Sequence, residues 1–271
     1  MSDRKLKIMS IGAHPDDPDL SIAGTIAKLA ERGHIIKCLS VTNGNAGHYA
    51  QSGEELANRR YEETQASARV LGVTYDVMNN DDGRLMPTLE NREDLMREIR
   101  KFNPDVVLTN RTNDYHADHR ATATLVQDCS FLLAVPNVCP DTPAMDKAPV
   151  ILFWADGFLD PSPFRPDIVV PTDAYQKKRT ETMLCHVSQT LEWLPWIDGI
   201  KDFPSWPLEK RREYAIQFWS KPKHISDAVY RVLCDYYGAD YARDVHYYES
   251  FQRSEYGTPM TDEIRDIFME L

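Results

Sequence analysis

The chain has 271 residues, 42 acidic against 31 basic, for a formal net charge of −11, and five cysteines. That length suits one large domain, and the charge, with no basic stripe to offset it, excludes a nucleic-acid backbone as partner. The cysteines, Cys38, Cys129, Cys139, Cys185 and Cys234, are odd in number and widely spaced with no CxxC, which predicts reduced thiols in a cytoplasmic protein. No run approaches the roughly 18 apolar residues of a membrane span, and the start of the chain lacks a signal-type apolar region, so no membrane segment is expected.

Residues 5–11 alternate and then become continuously apolar through Ile8-Met9-Ser10-Ile11-Gly12, as in a central parallel strand covered on both faces. The run ends in the compact turn Ala13-His14-Pro15-Asp16-Asp17. Leu20, Ala23, Ile26, Ala27 and Ala30 then fall at helical spacing, and Gly33 stops the helix. Residues 34–42 read as the second strand. They leave through Asn43-Gly44-Asn45-Ala46-Gly47-His48-Tyr49, a loop whose composition fits a site border and a flexible turn equally. A charged helix over 54–71 closes at Gly72, a short third strand covers 74–78, and Asn79-Asn80-Asp81-Asp82-Gly83 reads as turn chemistry. Thr88 caps a helix over 89–102, which Asn103-Pro104 ends before a fourth strand at 105–109. That strand leads into Asp114-Tyr115-His116-Ala117-Asp118-His119.

This alternation predicts a Rossmann-like α/β fold, an open and mostly parallel sheet flanked by helices. With right-handed crossovers and an order that reverses beside strand one, strands one and four are neighbours, and both His/Asp motifs meet at one crevice. Imidazoles and a carboxylate converging there, with a further carboxylate beside them, suit a catalytic zinc that keeps a position open for water. Farther on, 121–134 read as a helix, 135–149 as a loop with prolines, and 150–154 and 168–170 as strands. Thr172 reads as the cap of a helix ending near Cys185. Trp193, Trp196, Trp206 and Trp219 read first as packing and second as a substrate groove.

Ala13-His14-Pro15-Asp16-Asp17 and His116-Ala117-Asp118-His119 resemble the two motifs of the PIG-L/LmbE-like deacetylases, zinc enzymes that remove an acetyl group from N-acetylglucosamine-type substrates. Thr42 to Gly47, Arg60-Tyr61-Glu62-Glu63, Leu71-Gly72 and His186-Val187-Ser188-Gln189 follow in that family's order. The resemblance therefore implies a catalytic domain over residues 1–190 and a helical, aromatic-rich elaboration over 191–271 packed on it. It implies His14, Asp17 and His119 as ligands of Zn2+, Asp16 as general base, and His116 as the group that stabilises the oxyanion. Asp114 and Asp118 would orient imidazoles, and Arg60 and His186 would meet the substrate. One departure is visible. Pro18-Asp19 stands where the family has Glu, so Asp19 would serve as a supporting carboxylate one methylene shorter.

The activity implied is removal of an acetyl group from a small acetamido-sugar glycoside. Two alternatives use the same scaffold. An amidase would cleave a larger amide such as a thiol conjugate, for which the Trp-rich region makes room. A non-catalytic carbohydrate-binding protein predicts damage to motifs that are intact here. The donor set also accepts Fe2+, Mn2+ or Co2+, and the sequence is compatible with a monomer and with a closed homo-oligomer.

Overall fold

The computed structural model describes residues 4–271. Seven strands, β1 (Lys7–Gly12), β2 (Ile35–Thr42), β3 (Thr74–Asn80), β4 (Val106–Thr109), β5 (Val150–Trp154), β6 (Ile168–Pro171) and β7 (Tyr248–Gly257), form one sheet in the order β3-β2-β1-β4-β5-β7-β6. The first five are mutually parallel, and β7 runs antiparallel to both β5 and β6. Growth of the sheet reverses at β1, with β2 on one side and β4 on the other, so a crevice opens at the carboxyl ends of β1 and β4.

Ten helices flank the sheet among the described residues: α1 (Asp17–Glu31), α2 (Gly53–Leu71), α3 (Leu89–Phe102), α4 (Ala117–Leu132), α5 (Gln176–Met183), α6 (Leu194–Ile197), α7 (Leu208–Trp219), α8 (Asp227–Tyr237), α9 (Ala239–Arg243) and α10 (Asp262–Met269). Strand alternation divides the core between two faces. Ile8, Leu108 and Leu152 pack with residues of α1, α2 and α10, while Met9, Ile11, Val107 and Ile151 pack with α3 and α4. Burial on both faces is why these strands read as unbroken apolar runs. Each such side chain contributes about 1.5–3 kcal/mol. None of these helices is long and apolar enough to cross a membrane.

Three local features depart from the sequence expectations. Helix α4 starts at Ala117 rather than 121, because the His116 Nδ1 accepts from the Asp118 N–H at 3.1 Å and caps its first turn. The Thr172 side chain makes no capping bond, and a 3-10 turn at Asp173–Tyr175 intervenes before α5. Within residues 191–271, β7 does more than pack against the sheet. It pairs between β5 and β6 and completes it.

Helix α1 also breaks at Ile22, where φ −143° and ψ 24° leave the helical range. The amides freed on its second half, Gly24 N and Thr25 N, donate to the Glu249 carboxylate at 3.0 and 2.6 Å. A side chain from β7 thereby caps a helix that begins at the other end of the sequence.

Candidate active site

The first motif is held by the backbone that precedes it. Ala13 O accepts from Thr42 N, Thr42 Oγ1 and Ser40 Oγ at 2.8, 2.8 and 3.1 Å, which locks the end of β1 to β2. A Cβ at Gly12 would stand 2.6 Å from the Asp17 Cβ, so glycine is required where the chain turns back on itself. Asp17 Oδ2 accepts from Ala13 N and His14 N, both at 2.8 Å, while Oδ1 faces His119 Nε2.

Three side chains then converge. His14 Nδ1 lies 3.2 Å from His119 Nε2, His119 Nε2 lies 3.5 Å from Asp17 Oδ1, and His14 Nδ1 lies 3.5 Å from Asp17 Oδ2. The two rings thus meet opposite oxygens of Asp17, and the one facing His14 is the oxygen that the two amides hold. Carboxylates flank both rings. His119 Nδ1 stands 3.0 Å from Asp114 Oδ1, and Asn110 Nδ2 holds the His119 carbonyl at 2.7 Å. His14 Nε2 is flanked by Asp82 Oδ1 at 3.2 Å and Asp118 Oδ2 at 3.4 Å, though it is aligned with neither. Carboxylates therefore stand behind both rings, on the side away from the contact between His14 Nδ1 and His119 Nε2.

Among the described residues, two triads, neither including Asp17, bring one donor atom of each residue within 4.8 Å of one another: His14, His116 and His119, and His14, Asp82 and Asp118. In the second, Asp118 already accepts from Gly83 N at 2.6 Å and Leu85 N at 3.2 Å, and Asp82 Oδ2 faces Arg60 Nη1 at 3.5 Å. In the first, the His116 Nδ1 is engaged by the Asp118 N–H, which puts the ring proton of neutral His116 on Nε2. His116 stands beside the convergence of His14, Asp17 and His119, its ring centroid 4.5 Å from that of His14.

Charge follows the same pattern. Burial opposes the His14 imidazolium, but Asp17, Asp118 and Asp82 outweigh it and raise its pKa well above the ordinary value. Burial likewise opposes His119, whose pKa Asp17 and Asp114 nonetheless raise to about 10. Asp17 is held well below the usual carboxylate range, against burial, by His119 and His14. The cluster thus draws positive charge, which protons or a metal can supply. His116 moves the opposite way: burial, then repulsion from His14 and His119, lowers its pKa.

Asp16 Oδ1 accepts from Arg60 Nη2 at 2.9 Å. Arg60 does not reach into the crevice, where it was expected to meet substrate. It is 2% exposed and also donates to Gly44 O at 3.3 Å. A Cβ at Gly44 or Gly47 would stand 2.7 or 2.9 Å from its Nη1, so the glycine-rich loop closes over this guanidinium and borders the site. His186, also expected at the substrate, is 0% exposed, with Nε2 3.1 Å from Asp19 Oδ2. Asp19 accepts from Ser67 Oγ and supports none of the crevice imidazoles. Sequence reasoning missed Asp82, whose only signal was an acidic turn directly after a parallel strand. It also missed Tyr115, 76% exposed, with its ring edge-on to His116 and His119.

The family model described as PIG-L: GlcNAc-PI de-N-acetylase matches residues 9–130, a span holding every crevice residue named above. A diacetylchitobiose deacetylase from Thermococcus kodakarensis is 35% identical over 137 residues, 48% of this chain and 51% of that protein. The match spans 51% of that relative's length and 65% of that of the uncharacterized deacetylase YaiS of Escherichia coli, 31% identical over 127 residues. Among solved structures, the N,N'-diacetylchitobiose deacetylase of Pyrococcus horikoshii superposes with a TM-score of 0.68 at 25% identity, covering 95% of this chain and 88% of that one. GalB, the 4-carboxy-2-hydroxymuconate hydratase of Pseudomonas putida, shares the fold with a TM-score of 0.69 at 20% identity, covering 95% of this chain and 98% of that one. The fold thus recurs in a hydratase, and the site, rather than the fold, has to carry any statement of activity. Both motifs converge as described, and the span that encloses them, residues 9–130, is similar to the PIG-L family.

Proposed function

We propose that this protein is a metal-dependent hydrolase that removes the acetyl group from an N-acetylglucosamine-type small glycoside. The observation that carries the reading is the convergence of His14, Asp17 and His119, with His14 Nδ1 3.2 Å from His119 Nε2 and each ring 3.5 Å from one Asp17 oxygen, and with the Asp16 carboxylate next in the chain to one of them. The deacetylases among its relatives support the choice of an acetamide as the bond cleaved. Zinc bound by the triad would supply Lewis acidity to water and to the acetamide carbonyl.

The remaining steps belong to side chains. Asp16, its Oδ1 held by Arg60, takes a proton from the attacking water on Oδ2 and returns it to the leaving amine. His116 donates from Nε2 to the developing oxyanion, since its Nδ1 is occupied and its lowered pKa keeps the ring neutral. Asp114 beside His119 Nδ1, and Asp82 and Asp118 beside His14 Nε2, would favour the tautomers that leave lone pairs for the metal.

Acetate release from diacetylchitobiose, measured before and after chelation and after restoring Zn2+, Fe2+, Mn2+ or Co2+, tests this. Activity is expected to vanish with the metal and return with at least one ion, and His119→Ala is expected to purify without metal. Chelator-resistant acetate release, or full metal occupancy in His119→Ala, would overturn the assignment.

A further inference from the structure

Among the described residues, two hollows meet at Lys223. One, of about 260 Å³, is lined by Ser21, Asp156, Phe158, Lys223 and Glu249. The other, of about 180 Å³, is lined by Arg179, Trp219, Lys221, Lys223 and Tyr247. Both open on the carboxyl side of the sheet. Tyr248, which begins the antiparallel β7, pairs with Pro171 at the end of β6, and Phe251 pairs with Trp154 at the end of β5. Ser21, in the wall of the first hollow, lies one helical turn beyond Asp17 on α1. At about 4.8 Å per strand, β7 lies roughly 14 Å from β1, the span of a disaccharide-sized molecule.

The charge of the groove is opposite to that of the protein. In a chain with 42 acidic and 31 basic residues, Arg179, Lys221 and Lys223 gather here. The carboxylates in the walls are already engaged. Glu249 accepts from Gly24 N and Thr25 N, with Arg179 Nε 3.9 Å away, and Asp156 accepts from Arg111 Nε and Nη2 at 2.6 and 2.5 Å. Among the described residues, the Lys221 and Lys223 ammonium groups make no hydrogen bond and no ion pair, and Lys221 rests 5.3 Å from the Phe218 ring centroid. Two cations outside any ion pair flank a groove with aromatic walls, and the Glu249 carboxylate, already bonded to two amides, acts on Lys223 through space.

We propose that this groove is a subsite for an anionic group, a carboxylate or a phosphate, carried by the far end of the substrate, with Lys221 and Lys223 as its specificity-determining residues. The link to turnover rests on the deacetylase reading, whereas the anion binding does not. A lysine meets either anion as a point charge, and the paired ammonium groups favour a terminal anion over a neutral aglycone of the same length.

The test compares N-acetylglucosaminides of equal length bearing a neutral, a carboxylate-tipped or a phosphate-tipped aglycone, in the parent protein and in Lys221→Gln/Lys223→Gln. The parent is expected to favour one or both anionic substrates by about tenfold or more in kcat/KM. The variant is expected to lose that preference while keeping its rate on the neutral glycoside, its metal content and its Tm. The carboxylate and phosphate arms identify the group. No preference in the parent, or one that survives in the variant, overturns the proposal. Calorimetric titration with inorganic phosphate is run on both proteins. If no glycoside is deacetylated, the deacetylase reading fails, and the titration decides alone: a phosphate Kd about tenfold weaker in the variant upholds the anion subsite, and equal affinities remove it.

Discussion

Asp16 and Asp17 are neighbours in sequence with opposite assignments, and the difference lies in what each carboxylate faces. Asp17 turns Oδ2 onto two backbone amides and Oδ1 towards His119, whereas Asp16 is oriented by the buried guanidinium of Arg60. Asp16→Asn keeps a carbonyl acceptor for Arg60 but cannot take a proton at neutral pH. It is expected to retain metal and lose about 100- to 10,000-fold in kcat, the usual worth of general-base assistance. His116→Ala should also keep metal and lose roughly 100- to 1,000-fold in kcat with little change in KM, as befits a donor that acts in the transition state. Metal analysis beside steady-state kinetics separates the roles. Loss of metal in Asp16→Asn would make Asp16 a ligand and Asp17 the candidate base, and turnover within about threefold of the parent would place the base elsewhere.

At the scale of elements, the break in α1 shows how local pattern and long-range pairing divide the fold between them. The apolar runs of β1 and β4 and the spacing of Leu20, Ala23 and Ile26 are legible in the sequence because a strand covered on both faces and a helix with one buried stripe leave periodic marks. The helix break at Ile22 leaves none, since its two amides are satisfied by Glu249, 224 residues or more away. Strand β7 was equally hidden. Its burial is continuous over Glu249–Phe251 and irregular beyond, and its place depends on edges offered by β5 and β6. Within the site, the two His/Asp motifs were legible as local clusters. The roles of Asp82 and Arg60 were not, because an acidic turn and a helical arginine look the same in sequence whether or not another strand end brings them to a histidine or an aspartate. Glu249→Ala would leave the two α1 amides buried without acceptors, so a loss of about 1–3 kcal/mol is expected in urea unfolding. An unchanged midpoint would mean that water caps the break instead.

Across the whole molecule, the sheet gathers the carboxyl ends of β1, β3 and β4 around one crevice, while α1 also fastens the start of the fold to its final helix. Lys28 Nζ, buried on α1, donates to Phe268 O at 3.2 Å, and Arg32 Nη1 donates to Glu270 O at 2.9 Å. The ammonium reaches a carbonyl at the carboxyl end of α10, where positive charge is favourable, yet it has no carboxylate bonded to it. Burial, followed by repulsion from Arg32, lowers the Lys28 pKa to about 8, with Glu270 acting in the other direction. The sign of its pH effect follows. Below pH 8 both the folded and the unfolded chain carry the proton, and the full cost of burying the charge is present. Between about pH 8 and the unfolded value near 10.5 the unfolded chain binds more protons, so this residue's contribution to stability rises with pH. Burial of Tyr237 and Cys129 raises their pKa values and works against that trend at alkaline pH, so the lysine is isolated by comparison with Lys28→Met. Urea unfolding of both proteins at pH 7, 8 and 9.5 is expected to show the parent gaining about 1–2 kcal/mol on the variant between pH 8 and 9.5, and little between pH 7 and 8. A stability difference that stays flat from pH 7 to 9.5 would mean that Lys28 keeps an ordinary pKa in the folded chain and that its charge is hydrated at the junction of α1 with α10.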